Sequence, residues 1–439
     1  MITQAHKDTA QWVLKRAKSL GCQASRVMVY AGSDTELEVR GEQLDTLQQA
    51  TEQQLLFHLF VDGRYGSFST NRMDRVSLEP FLQNAVASVR HLEEDRARHL
   101  PDPSLYAASN LPDLELTDPD YEALTMQERL SFAQAAASEV YGTDARVLSV
   151  QANWNDGISS RFLIDSQGFE GLSSVSFHAL SVAVTVKGEG DARPEDYDFD
   201  QALYRMDVRK EGIGKKALER ALAKIGQRKM ASGRFPILVD NRVAAQLFSP
   251  ILSALFGSAL HQNNSFLRDS LHTSVFSEKL TVRDVPHTPR CFGSRFFDLE
   301  GVATQARFVV DKGVLSTYFI DTYASEKLEM PVSISSPSRL VFEPGSQSFE
   351  ALLSSLSHGI WVTGFNGGNT NSTSGDFSYG IEGFRIEQGK VVQAISEMNI
   401  TGNMRSLWKN LVALGNDPRQ NSAYQLPSLL FDDVVCSGL

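Results

Sequence analysis

The sequence predicts an α+β protein: an N-terminal α+β domain on an antiparallel sheet, and a C-terminal β-rich, barrel-like domain packed on a buried helix. Three observations carry this expectation. An amphipathic segment at the start runs into β-rich stretches punctuated by turn residues. Residues 251–260 place apolar side chains at helical spacing around a wide face. The second half then breaks into short apolar runs separated by glycine-bearing turns. At 439 residues the chain exceeds one ordinary core. We divide it into an N-terminal α+β domain (1–99), a linker and middle α/β segment (100–230) and a C-terminal β-rich domain (231–439).

The opening "MITQAHKDTAQWVLKRAKSLG" sets Ile2, Trp12, Val13, Ala17 and Leu20 among charged residues. It reads as an amphipathic helix and lacks the uninterrupted apolar core of a signal peptide. Several β-rich runs follow, with Asp62-Gly63 as a tight hairpin signal. A helix is expected from about Leu78 to Arg98. The Pro- and Asp-rich stretch 100–120 reads as a linker. A helix at about 126–141 precedes two or three strands between Val147 and Val186, and "KGEGDARPEDYDFD" then reads as an acidic loop. "EGIGKKALERALAKIG" is helical; its Gly212 and Gly214 follow no strand and lack a phosphate-loop spacing.

The second half opens on the strand "GRFPILVD". Ser249 before Pro250 reads as an N-cap with proline at the first helical position. Ile251, Leu252, Leu255, Phe256, Ala259 and Leu260 then give the apolar face of a buried helix. Hairpins are expected around Asp311-Lys312-Gly313 and Gln388-Gly389, and a short helix in "NMRSLWKNLVALGND". No fixed-period repeat is present.

Composition removes several function classes. A net charge of −11, with no dense Lys/Arg run, argues against direct nucleic-acid binding. Cys22, Cys291 and Cys436 are odd in number and far apart, which suits a reducing compartment. No stretch approaches the length of an uncharged apolar membrane span, so a cytoplasmic, membrane-free protein is expected.

The search for catalytic machinery returns almost nothing. The nine histidines form no helical pair with a glutamate between them. His91 and His99 flank a solvated charged face, and His287 and Cys291 are an isolated pair across a proline. Ser378 sits in "GDFSYG", one residue out of register for a nucleophile elbow, and Ser406-Leu-Trp-Lys409 lacks the companion motifs of penicillin-binding enzymes. What remains is "GGNTNSTSGDFSYGIEGFRIEQGK", residues 367–390. Glycine-rich backbone can form a nest of N–H groups or lie close against an extended ligand. Asp376 can cap the turn, line a substrate groove together with its neighbours, or act chemically; a lone carboxylate has little to work with in the last role.

These residues carry a resemblance. Ser374-Gly375-Asp376-Phe377-Ser378, Gly380, Gly383, Ile386-Glu387, Gly389 and Ile400-Thr401-Gly402-Asn403 resemble the C-terminal signature of the TldD/PmbA family. Ser374 stands for the family's threonine and keeps its hydroxyl. "LFVDGRYGSFST" and "FFDLEGVATQARFVVDKGVLSTYFIDTYASEKL" are also family-like, in the expected order. TldD-type members resemble zinc metallopeptidases built on H-E-x-x-x-H, with a later cysteine as a further ligand. Laid on this chain, the histidine positions fall on Ser253 and Ser258 and the glutamate on Ala254, while Gly257 is kept. No cysteine stands at the later position, and the ligand role does not carry over to Cys436.

The resemblance therefore implies the PmbA (TldE) branch: no catalytic residue and no metal ligand of its own, with zinc expected only in a TldD-type partner. It implies a metallopeptidase-related subunit, non-catalytic alone, acting in proteolysis or maturation of small unstructured peptides. The implied partners are a TldD-like chain in a heterodimer or larger assembly, a peptide substrate, and a second copy of itself when alone. Asn366, Gly367, Asn369, Gly375, Asp376 and Ser378 are the candidate peptide- or partner-contact loop, where an extended peptide could make main-chain hydrogen bonds. The competing reading is an interaction protein that modulates DNA gyrase or a toxin–antitoxin partner without proteolysis; a further one is a hydrolase with residues outside these motifs.

Overall fold

The computed structural model describes residues 1–438. Its first half is organised by one six-stranded sheet of β1 (Ala24–Arg40), β2 (Gln43–Val61), β3 (Arg64–Thr70), β4 (Val147–Asp165), β5 (Glu170–Val186) and β6 (Glu195–Ala202), in the order β3-β2-β1-β4-β5-β6. Every neighbouring pair is antiparallel. β1 pairs with β4 from Arg26↔Asp165 to Arg40↔Gln151, so the segments on either side of residue 100 share this sheet. Asp62-Gly63 turns the β2–β3 hairpin with positive φ at both residues, as its sequence foretells.

Four helices cover the sheet: α1 (Gln4–Ser19), α2 (Arg75–Val89), α3 (Met126–Ser138) and α4 (Ile213–Ala223). The alternation of β1 shows how. Val27 and Val29 enter a core with Ala10, Val13 and Ala17 of α1 and Leu78, Leu82 and Val86 of α2. Leu37 and Val39, on the same side by the two-residue period, enter a second core with α3 and α4. Arg26 points the other way, to Glu300 of the second half. Capping is local and legible: the Thr3 hydroxyl accepts from the His6 N–H, and Thr125 with Glu128 forms a capping box.

Two departures from expectation have physical causes. The helix expected over 78–98 spans Arg75–Val89, because Asp74 accepts the Ser77 N–H and starts it earlier. Its end gives way to tertiary contacts: the Asp95 N–H donates to the Gly63 carbonyl and its carboxylate pairs with Lys327. The acidic loop is half a strand. β6 carries Asp196 and Asp198 on its buried side, where Lys224 lies 3.1 Å from the former and Arg209 and Arg220 lie 2.6 Å from the latter. These cations let carboxylates sit in a buried strand face.

The second half contains β7 (Gly233–Val239), α5 (Ala244–Ala254), α6 (Gly257–His261), β8 (Val282–Asp284), β9 (Arg307–Asp311), β10 (Val314–Leu315), α7 (Thr322–Leu328), β11 (Leu340–Phe342), α8 (Phe349–Ser355), β12 (His358–Thr370), β13 (Asp376–Glu387), β14 (Lys390–Asn403), α9 (Met404–Lys409), β15 (Leu411–Leu414), β16 (Tyr424–Gln425) and β17 (Leu429–Ser437). One sheet runs β14-β13-β12-β7-β17-β15, and β14 also pairs with β17, which closes five of its strands into a ring. That is the expected barrel-like domain. Ile237, Val239, Ile360, Val362 and Phe431 of these strands join α5 in the largest core, while Leu238, Phe384, Ile386 and Leu430 form a smaller one closed by α8. A second sheet, β10-β9-β8-β11-β16, flanks the first.

The buried helix starts earlier than its proline suggests. Pro250 lies inside α5, which begins at Ala244 behind a turn in which the Val243 and Ala244 N–H groups donate to the Asp240 carbonyl. Pro250 removes the N–H that would bond the Gln246 carbonyl, and Gln246 is exposed, so water can serve that group. Ser249 is thus an exposed helical residue, not a cap.

The halves are joined by buried charge. Lys224 Nζ lies 3.1 Å from Asp196 and 2.7 Å from Glu382 of β13, and Arg242 reaches Asp196 at 3.5 Å. Removing Lys224 leaves Glu382 without its cation and buried Asp196 with Arg242 alone. Lys224→Met is expected to lower unfolding free energy by roughly 3–5 kcal/mol, read as a reduced denaturant midpoint with an unchanged slope.

Candidate functional site

The residues singled out by sequence lie on two elements, the α5–α6 corner and the β12–β13 hairpin. On an unbroken α-helix, side chains five apart point about 140° from one another, so Ser253 and Ser258 could face one ligand only across a break. The structure has that break. Phe256 takes an extended conformation (φ −74°, ψ 138°) between α5 and α6. The Gly257 N–H donates to the Phe319 carbonyl at 2.8 Å and the Phe319 N–H to the Leu255 carbonyl at 2.9 Å, a local β-bridge that takes both groups from the helix. Gly257 permits it, because a Cβ there would collide with Ala324 of α7.

Ser253 and Ser258 are exposed and Ala254 is buried. Protein zinc sites use Cys, His, Asp and Glu, and metal-assisted hydrolysis needs a base for water; two hydroxyls and a methyl group do not fit. His261, a turn further on, packs edge-on against the Tyr323 ring, 5.7 Å between centroids. Among the described residues, no group of three or more His, Cys, Asp or Glu could hold a metal ion. Cys436 is buried in β17, where desolvation pushes its thiol up to about 12.

The glycine-rich stretch is less a loop than a hairpin. Asn366, Gly367 and Asn369 belong to β12, Asp376 and Ser378 to β13, and Gly375 alone of the candidates lies in the connecting turn. Asn366 and Gly367 form a bulge, skipped by the register between Phe365↔Ile381 and Gly368↔Tyr379; Asn369 pairs with Ser378. Gly368 (φ +106°) faces the Ser378 carbonyl too closely for any side chain. The glycines are there for strand-to-strand approach. Asn366, Gly367, Asn369 and Ser378 remain exposed along the tip.

Asp376 ties the turn without accepting the backbone N–H groups of the glycine run. One carboxylate oxygen accepts from the Ser374 hydroxyl at 2.7 Å, the other from the Asn403 amide at 3.0 Å. These bonds hold its pKa below the usual carboxylate range, the Asn403 amide contributing most. The turn's N–H groups go to Asn371, whose side chain accepts from Thr373 and Ser374.

One segment that sequence reasoning missed joins the two elements. The Asn264 side chain accepts from the Ser372 and Thr373 hydroxyls, the Ser265 hydroxyl donates to the Ala254 carbonyl at 2.7 Å, and the Phe266 N–H donates to Ser372 at 2.8 Å. The hairpin tip is thereby fastened to the end of α5. The only sequence signal was "QNNSF", turn-formers directly after a helix. Other screened motifs are structural. Glu139 accepts the N–H groups of Gly212, Gly214 and Lys215 at the start of α4. Lys409 donates to Ser274 and the Phe276 carbonyl, and His287 bonds Thr304.

A five-strand ring packed on a broken helix, joined to a large helix-backed antiparallel sheet, is the architecture of a two-part protein of the TldD/PmbA metallopeptidase-related class. The chain belongs to the TldD/PmbA family: the family models for the PmbA/TldA metallopeptidase C-terminal and central domains match residues 232–438 and 119–225. It is similar to the metalloprotease PmbA of Escherichia coli O157:H7, 27% identical over 385 residues, 87% of this chain and 84% of that one. A crystal structure from Bacteroides thetaiotaomicron, described as a candidate modulator of DNA gyrase, is 48% identical with a TM-score of 0.97, covering all of both chains. TldE of Thermococcus kodakarensis shares the fold at 18% identity, TM-score 0.84, over 98% of this chain and all of that one.

Two outcomes test the site's construction. Gly375 sits at φ +82° with the Phe266 ring 3.0 Å from where a Cβ would stand; Gly375→Ala should cost about 1–3 kcal/mol in denaturant unfolding. The Asp376 carboxyl, followed by NMR, should titrate below about 3.9, and Asn403→Ala should move it upward. Because the folded-state value is depressed, the stabilisation is present above the ordinary carboxylate range and is lost as pH falls through the depressed value.

Proposed function

We propose that this chain is the non-catalytic, PmbA/TldE-like subunit of a cytoplasmic TldD-type metallopeptidase that processes small unstructured peptides. The observation that carries this reading is the α5–α6 corner, which breaks at Phe256 and Gly257 and presents Ser253, Ala254 and Ser258. The zinc and the water-activating base then belong to the partner. This chain contributes an exposed hairpin edge, Asn366–Asn369 opposite Ser378, fastened to that corner through Asn264 and Phe266. Its free bulge suits main-chain hydrogen bonds to an extended peptide or close approach of the partner subunit. Alone, the chain pairs with a second copy of itself.

Affinity purification from the native cell should recover a TldD-like chain with an intact H-E-x-x-x-H as the chief partner. Purified alone, the protein should retain no stoichiometric zinc by elemental analysis and cleave no unstructured peptide; the complex should cleave in a chelator-sensitive way. Chelator-sensitive cleavage by the isolated chain would overturn the reading, and recovery of gyrase without a TldD-like chain would favour the gyrase-modulating one.

A further inference from the structure

Away from the α5–α6 corner, a cleft of about 380 Å³ opens between the first sheet and the second half. One wall is the face of the sheet opposite its helices, with Arg26, Met28, Leu56 and His58; the other includes Leu299, Glu300, Tyr323 and Ser335. The volume lies in the range of small-ligand sites.

Its polar groups are not all satisfied by the protein. Arg26 is only 6% exposed. Its terminal nitrogens reach Glu300, Nη1 3.5 Å from Oε1 and Nη2 donating to the carbonyl at 3.3 Å, but the buried Nε–H has no partner. The Ser335 hydroxyl is likewise buried and unpartnered, although its N–H donates to Asp298 at 2.9 Å. A buried donor without an acceptor costs free energy comparable to a lost hydrogen bond. Two on one cleft mark a place shaped for something else.

The cation without a carboxylate partner, Arg98, gives the ligand its sign. Arg98 lays its guanidinium against Tyr323, 3.4 Å from the ring centroid, and near Tyr65 at 5.0 Å; among the described residues no carboxylate pairs with it. The cleft's own carboxylates already have partners, Glu300 being shared between Arg26 and Thr322. Glu300 Oε2 accepts from the Thr322 N–H and hydroxyl, both at 2.8 Å, and Asp321 caps α7 through the Ala324 N–H at 2.7 Å. His58 cannot be the acceptor's rival for protons near neutrality: burial, helped by Arg26 and Arg98, lowers it to about 4, and its Nδ1 is 2.6 Å from the Tyr65 hydroxyl. A guanidinium lying over two rings keeps its fork of N–H donors, the geometry that a carboxylate matches. Leu56, Phe60, Leu163 and Leu299 supply apolar wall around it.

We propose that this cleft binds a carboxylate, presented by the free C-terminus of a short peptide with an apolar last side chain, with Arg98 and Arg26 as the cationic contacts and Ser335 as an added donor. The carboxylate chemistry stands on the cleft alone; the peptide source rests on the peptide-handling reading above.

Isothermal titration of the purified full chain separates these sources. N-acetyl-alanyl-phenylalanine with a free carboxyl should bind at least tenfold more tightly than its C-terminal amide. Arg98→Ala, at a half-buried position, should weaken the acid at least tenfold with the melting temperature nearly unchanged, and Arg98→Lys should restore only part, since an ammonium cannot make the fork. Ser335→Ala should give a smaller loss. Equal binding of acid and amide, absence of binding, or an Arg98→Ala protein that binds as the parent does overturns the proposal. Acetate or inorganic phosphate competing as well as the peptide acid overturns the peptide assignment. These measurements need neither the partner nor zinc, so their failure leaves the subunit reading to its own test.

Discussion

Two backbone hydrogen bonds, Gly257 to Phe319 and Phe319 to Leu255, set the shape of the second half's working surface. They interrupt the apolar helix where it would otherwise run straight past the barrel, and they turn α6 against α7. Each is individually modest. The constraint comes from what they exclude: with the Leu255 and Gly257 groups committed to residue 319, positions 253 and 258 leave opposite sides of a corner instead of two unrelated faces of one helix. On this corner the chain places the hydroxyls of Ser253 and Ser258, both exposed.

How far such bonds reach along the chain decides what was legible beforehand. Short-range chemistry was readable: Asp62-Gly63, Lys312-Gly313 and Gln388-Gly389 turn hairpins because positive φ is demanded there. The β-rich, barrel-like domain could be anticipated from its hairpins, though not its closure, which depends on β14 finding β17. Pro250 misled because a proline inside a helix is tolerated when the carbonyl it abandons faces solvent. The acidic stretch 195–202 misled because Asp196 and Asp198 are admitted to a strand by Lys224, Arg209 and Arg220, cations that lie beyond the run itself. At the candidate site, the identities of Ser253, Ala254 and Ser258 were read directly. The helix break and the Asn264–Phe266 fastening were not, since both rest on contacts distant in sequence.

The glycine-rich hairpin shows the same division between local pattern and tertiary cause. Its composition resembles a ligand-cradling loop, yet Gly368, Gly380 and Gly383 sit where opposing carbonyls leave no room for a side chain. The permissive residues therefore serve the strand pair first. The bulge at Asn366 and Gly367 interrupts the ladder near the tip, and the hydrogen bonds of Asn371, Asp376 and Asn403 brace the tip that carries it. A braced, exposed edge loses less order on pairing with another chain than a mobile loop would.

The wider geometry follows from the two faces of the first sheet. One face is apolar at alternate positions and sealed by four helices, so its stability is settled within the first half. The opposite face carries Arg26 and meets the second half through polar contacts, and at the β6 edge the halves share the Asp196, Lys224, Arg242 and Glu382 cluster. Buried charges tolerate little misplacement, because every partner lost leaves a desolvated ion. A boundary made this way is fixed in register where it is complete. Where a donor such as Arg26 Nε is left over, the same low-dielectric setting that makes the boundary rigid raises the worth of any acceptor that reaches it.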